Sequence, residues 1–156
     1  MKEEHIQSAA VAAWVRAFNA HEVERLVSLY REDATLADSG MPAPRRGHEE
    51  IRQWFLWRFR STPTITYQPV DVFEEGSSQV RVRWLAEGNG PRFCGARPFR
   101  VEGESCFQLQ EGFIARQEGV YNHVSVLHQI IPPLRIVPTA VAGALYLLYI
   151  RLHRIS

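Results

Sequence analysis

Cysteine is nearly absent from the 156-residue chain: Cys94 and Cys106 stand alone, without CxxC spacing. Two such residues exclude a disulfide framework and a cysteine-based zinc or redox centre, and they predict free thiols in a reducing compartment. Net charge is also missing. At +1 there is no long-range positive field to capture nucleic acid, which leaves a small molecule or a protein as the expected partner. Glycine and proline, 10 and 9 residues, are too few for a collagen-like or low-complexity chain, and 46% hydrophobic content excludes disorder. No HExxH, GxGxxG or P-loop occurs, so zinc-protease, dinucleotide and nucleoside-triphosphate chemistry lose their sequence support, and no cofactor or metal is implied. The charged start, Met1 to His5, has no apolar run behind it and predicts no signal peptide; the expected location is cytoplasmic.

Acidic residues stop at Glu118. Residues 1–131 carry 15 basic and 17 acidic side chains, whereas residues 132–156 carry three arginines and no acid. A chain of this length buries one sizeable core, so one domain is expected over 1–131 and a different kind of segment over 132–156, with Pro132-Pro133 between them. Ile136 to Ile150 holds no charge, and its apolar residues would cover every face of a helix. Such a helix rises about 22 Å, short of the roughly 30 Å core of a bilayer. Arg135 and Arg151 could extend its reach by snorkelling. Two expectations stand side by side: membrane contact through residues 134–154, or a C-terminal apolar helix packed on protein, in a dimer or as a lid.

Within the first 131 residues the apolar positions set the elements. Ile6, Ala9, Ala10, Ala13, Trp14, Ala17 and Phe18 recur at helical spacing, and Val23, Leu26, Val27 and Tyr30 predict a second helix over about 22–30. Ala34 to Asp38 reads as a short extended segment before the Ser39-Gly40 turn, and a third helix follows from Glu49 to Phe59. Four alternating stretches come next, 64–74, 79–87, 99–110 and 113–124, joined by glycine-containing hairpin turns at Gly76 and Gly112. Three helices followed by a four-stranded antiparallel meander predict an α+β domain with the helices on one face of a curved sheet.

The order of several phrases resembles the NTF2-like superfamily, in its ketosteroid isomerase and SnoaL-like polyketide cyclase branch. They are Ala17 to Leu26, Leu29 to Thr35, Gly47 to Arg52, and Glu111 to Arg116 leading into Tyr121-Asn122-His123. The resemblance covers about residues 5–131. It implies a cone of three N-terminal helices on a curved antiparallel sheet, an apolar pocket between them for a small hydrophobic ligand, and a homodimer.

The resemblance also directs attention to particular residues. Asp38 falls where the isomerase branch carries its carboxylate base, a role that suits a carboxylate in a partly apolar cavity; as a plain sequence feature, Asp38 would cap the Ser39-Gly40 turn. The positions of the isomerase's two oxygen-stabilising donors fall on Trp14 and Ser105, which are weaker donors than a phenol and a neutral carboxylic acid. The cyclase branch's late aspartate falls on Asn122 or His123, and His123 is the second candidate base because its unperturbed pKa lies near neutrality. Phe18, Tyr30, Trp54, Phe55, Trp84, Phe107 and Tyr121 are the expected aromatic walls of the pocket. The expected function is binding of a small hydrophobic molecule, with acid–base isomerisation, cyclisation or hydration on Asp38 and His123. The alternative is a non-catalytic ligand-binding or assembly module.

Overall fold

The computed structural model describes residues 6–131 and 139–153. Helix α1, Ala9–Asn19, opens at Ser8, whose hydroxyl accepts the Val11 N–H at 3.4 Å. Its buried side is Val11, Trp14, Val15 and Phe18, the three- and four-residue spacing that packs one face on a core. Helix α2, Val23–Ser28, buries Leu26 and Val27. It ends before Tyr30, contrary to the expectation of helix through that residue. Tyr30 instead begins strand β1, Tyr30–Asp38, because its backbone pairs with Ile114 across the sheet. Local apolar spacing cannot reveal a partner more than 80 positions away.

After the short strand β2, Arg45–Arg46, helix α3 runs Gly47–Ser61 with Glu49 and Glu50 in its first turn and Arg58 and Arg60 in its last. That arrangement of charge favours the helix dipole at both ends. Strands β3 (Thr66–Glu75), β4 (Gln79–Asn89), β5 (Pro98–Gln110) and β6 (Phe113–Tyr121) form the expected antiparallel meander. The sheet is wider than the meander, however. Its order is β2-β1-β6-β5-β4-β3, six strands, with β1 lying parallel to β6. Helix α4, His123–Ile130, follows β6 directly, and helix α5, Thr139–His153, lies beside it. Pro132, Pro133, Arg135 and Arg154 lie outside the described residues.

Alternation decides which side of the sheet meets the helices. On β4, Val80, Val82, Trp84 and Ala86 are buried while Arg81 and Arg83 are exposed; on β5, Val101, Ser105 and Phe107 are buried. The helices cover this inner face, and aromatic rings fill the space between. Trp14 stacks on Phe18 with ring centroids 5.1 Å apart and meets Tyr67 and Phe107 edge-on at 5.1 and 5.4 Å. Such pairs add about 0.5–1.5 kcal/mol each beyond the area they bury.

One position on β5 must lack a side chain. Gly103 lies under the Trp84 indole, and a Cβ there would fall against that ring and within 2.6 Å of the Val120 carbonyl oxygen. Overfilling a packed site costs roughly 1–3 kcal/mol. Gly103→Val is expected to lower stability by at least that much, read as a lower urea midpoint with an unchanged slope.

Candidate functional site

Three adjacent strands set one rung of the inner face. Asp38 on β1 pairs with Gly119 on β6, and Gly119 pairs with Ser105 on β5. Two strand spacings, roughly 10 Å, therefore separate the backbones of Asp38 and Ser105. Between them Gly119 leaves open space, since a Cβ there would lie 3.2 Å from the Asp38 Cβ and 3.8 Å from the Ser105 hydroxyl oxygen. Above this rung is a cavity of about 120 Å³.

Its wall is mostly aromatic and aliphatic. Trp14 and Phe18 come from α1; Trp54, Phe55, Trp57 and Arg58 from α3; Tyr67, Trp84, Ser105, Gln117 and Tyr121 from the sheet; Val126 and Ile130 from α4. Of the expected wall residues, Trp14, Phe18, Trp54, Phe55, Trp84, Ser105 and Tyr121 line the cavity with Asp38. Three do not. Tyr30 and Phe107 are fully buried behind the wall, and exposed Asn122 instead starts α4, its side chain accepting the Ser125 N–H at 3.0 Å. His123 stands outside the wall but close enough to Asp38 for their charges to interact.

Asp38 does two things at once. Its Oδ1 accepts the Gly40 N–H at 2.8 Å, which is the turn-capping role, and this bond fixes the carboxylate against the cavity. Burial pushes its pKa above the ordinary carboxylate value, while the positive charge of Arg58, the Gly40 N–H, His123 and the Met41 N–H pull it partly back. Burial lowers the pKa of His123, and the Asp38 charge opposes that shift. The Arg58 guanidinium lies 5.0 Å from the ring centroids of both Trp54 and Trp57 and donates to the Tyr121 hydroxyl at 3.1 Å.

Two indole donors of the wall, those of Trp14 and Trp84, are already committed. Trp14 Nε1–H donates to the Tyr30 hydroxyl at 2.8 Å, and Tyr30 in turn donates to Gln117 Oε1. Trp84 Nε1–H donates to the Ser105 hydroxyl oxygen at 2.9 Å. Trp14 therefore serves as wall and core, with no N–H left to offer a ligand. Tyr67 also lines the cavity, and no group meets hydrogen-bond geometry with its Oη. A buried hydroxyl left unsatisfied costs about 1–3 kcal/mol. Among the described residues no cluster of three or more His, Cys, Asp or Glu side chains is placed to hold a metal ion.

Sequence reasoning missed Arg58, Gln117 and Thr62 at this wall. Arg58 had a readable signal: it follows Trp54 by four residues and so shares its helix face. Gln117 had none, because its inward direction follows from the register of β6 against both neighbours.

A helix-covered curved sheet with an apolar cavity and a carboxylate in its wall defines a ketosteroid isomerase-like cone. Residues 11–117 match the SnoaL-like domain, and the chain belongs to that family. No curated protein matches it. Among solved structures, a hypothetical protein with a ketosteroid isomerase-like fold from Catenulispora acidiphila, in complex with trimethylamine, is 21% identical. The match covers 80% of this chain and 93% of that one, with a TM-score of 0.71. SalBIII, an epoxide hydrolase/cyclase-like enzyme of pyran ring formation in salinomycin, is 21% identical over 80% and 97% of the two chains, TM-score 0.68. IdmH of Streptomyces antibioticus, assigned as a polyketide cyclase, is 22% identical over 81% and 99%, TM-score 0.67. At these identities the likeness shows the fold.

The raised pKa of Asp38 has a consequence for stability. The folded protein holds this proton more tightly than the unfolded chain does. The stability linked to it is therefore complete below the unfolded pKa and is lost as pH rises through the folded one. Asp38→Asn, which cannot ionise, is expected to match the wild type near pH 3 and to exceed it in stability at pH 7. Urea midpoints at the two pH values check this.

Proposed function

We propose that the protein binds a single-ring-sized hydrophobic molecule in the cone and catalyses acid–base chemistry on it, with Asp38 as the base and His123 assisting. One observation carries this reading: a carboxylate whose basicity is raised by burial stands in the wall of an apolar cavity. The cavity's size narrows the ligand. At about 120 Å³ it is close to the ~150 Å³ apolar cavity that accepts benzene, so one ring fits and a fused four-ring skeleton does not. The cyclase names of SalBIII and IdmH support chemistry of this general kind.

The step is a proton transfer. Asp38 takes a proton from the carbon beside a carbonyl, the C–H electron pair becomes the new C=C bond of an enolate, and the carbonyl oxygen takes the charge. Return of the proton to either end of the enolate restores the carboxylate, so no atom is gained or lost. Acetophenone, a one-ring enolisable ketone, is expected to exchange its methyl hydrogens for deuterium in D2O faster with the protein than in buffer. Asp38→Asn is expected to lose about 10²–10⁴-fold of that acceleration, followed by ¹H NMR; full activity in that variant would leave the cavity as a binding site without catalysis.

Partners and location belong to the same proposal. The domain boundary at 131, a cytoplasmic location in which Cys94 and Cys106 remain thiols, a homodimer, and membrane contact by residues 134–154 are parts of it. Two observations support the last. Val141, Leu145, Leu147 and Leu148 of α5 are exposed, and no acidic residue follows Glu118 to repel an anionic surface. Among the described residues no helix is long and apolar enough to cross a membrane, so the contact would lie along the surface. Native mass spectrometry is expected to show a dimer. Flotation with phosphatidylserine-containing vesicles is expected for the wild type and absent in Leu145→Glu/Leu148→Glu.

A further inference from the structure

Tyr67 brings a buried hydroxyl to the cavity wall. It is 4% exposed, packs edge-on to Trp14 and lies 5.3 Å from the Trp84 ring, yet its hydroxyl meets no hydrogen-bond partner. Burial raises its pKa, while the Ser105 hydroxyl beside it pulls the other way. The phenol is thus a neutral O–H donor across the physiological range.

The groups around it point in one direction. Trp84 Nε1–H donates to Ser105, the Ser105 hydroxyl adjoins Tyr67, and the Tyr67 O–H ends the series with no acceptor in the protein. Gln117 stands at the same wall, its Oε1 taken by the Tyr30 hydroxyl. The wall therefore holds a phenol that lacks an acceptor, and Ser105 shares a rung with the carboxylate of Asp38.

We propose that Tyr67 Oη, backed by Ser105, binds the oxygen of the ligand and so selects one-ring molecules that carry a carbonyl or enol oxygen. This rests on the ligand-pocket reading above. It assigns oxygen binding to β3 and β5, leaving the first helix to supply only wall. When Asp38 removes a carbon-bound proton, the negative charge that develops on the ligand oxygen falls where these donors already point.

The test compares acetophenone with α-methylstyrene, a near-isostere in which CH2 replaces the oxygen. Wild-type protein is expected to bind acetophenone about tenfold more tightly, since the styrene leaves the phenol unsatisfied. Tyr67→Phe is expected to abolish that preference while keeping affinity for the styrene. As a second reading, the carbonyl ¹³C resonance of labelled acetophenone is expected to move downfield on binding to the wild type and to stay near its hydrocarbon-solvent position in Tyr67→Phe. An unchanged preference in Tyr67→Phe, meaning that water satisfies the phenol, would overturn the proposal, as would an unshifted carbonyl resonance in the wild type or failure of the wild type to bind acetophenone. Asp38→Asn separates the two readings: the oxygen preference is expected to survive in it although deuterium exchange is lost.

Discussion

The parallel pairing of β1 with β6 sets the geometry on which the rest of the site depends. It joins the first strand to the end of the meander and brings Asp38 level with Gly119, one strand from Ser105. Two small residues then keep the rung usable. Gly119 leaves open the space a side chain would occupy between Asp38 and Ser105, and Gly103 lets the Trp84 indole lie flat enough to reach Ser105 with its N–H. A slip of one residue in this pairing would turn Asp38 to the other face and remove the carboxylate from the cavity. The proposed function therefore depends on the β1 register.

The carboxylate sits under opposing influences. Burial favours its protonated form, whereas Arg58 and His123 favour the charged one, and burial prevails. A carboxylate held this way is a stronger base than one in water but remains within reach of ionisation. The Gly40 N–H fixes its direction, so the turn-capping bond and the proposed proton transfer use different features of one side chain. Arg58 is itself held against two indole rings and the Tyr121 hydroxyl, which keeps its charge near the site.

The sequence carried most of the α+β plan, for physical reasons that also explain its omissions. The helices and the meander were legible because their signals are local: apolar spacing in α1 and α3, alternation and turn glycines in β3 to β6. Tyr30 was misread because the same residue satisfies a helical pattern locally and a strand pairing at long range. Trp14, Phe18, Trp54, Phe55, Trp84, Ser105 and Tyr121 stand at the cavity. Phe107 and Tyr30 are as apolar or aromatic as those residues, and only their depth behind the wall sets them apart. Apolar character predicts burial but does not distinguish a packed ring from one facing a void.

The distribution of donors follows from volume. Trp14 stacks on Phe18 and turns its N–H away to Tyr30, so the first helix fills space at the wall and offers no indole N–H there. The α1 side of the cavity is thereby left apolar. Polar capacity is then left to the sheet, where Ser105, Tyr67 and Gln117 stand at the wall, and none of them carries charge. Under the proposed function, a carboxylate on β1 and neutral side chains on β6, β5 and β3 give the cavity a proton-accepting end and an oxygen-binding side. A ligand that satisfies both must be small, largely apolar and oxygenated at one position, which is a narrower class than the fold alone defines.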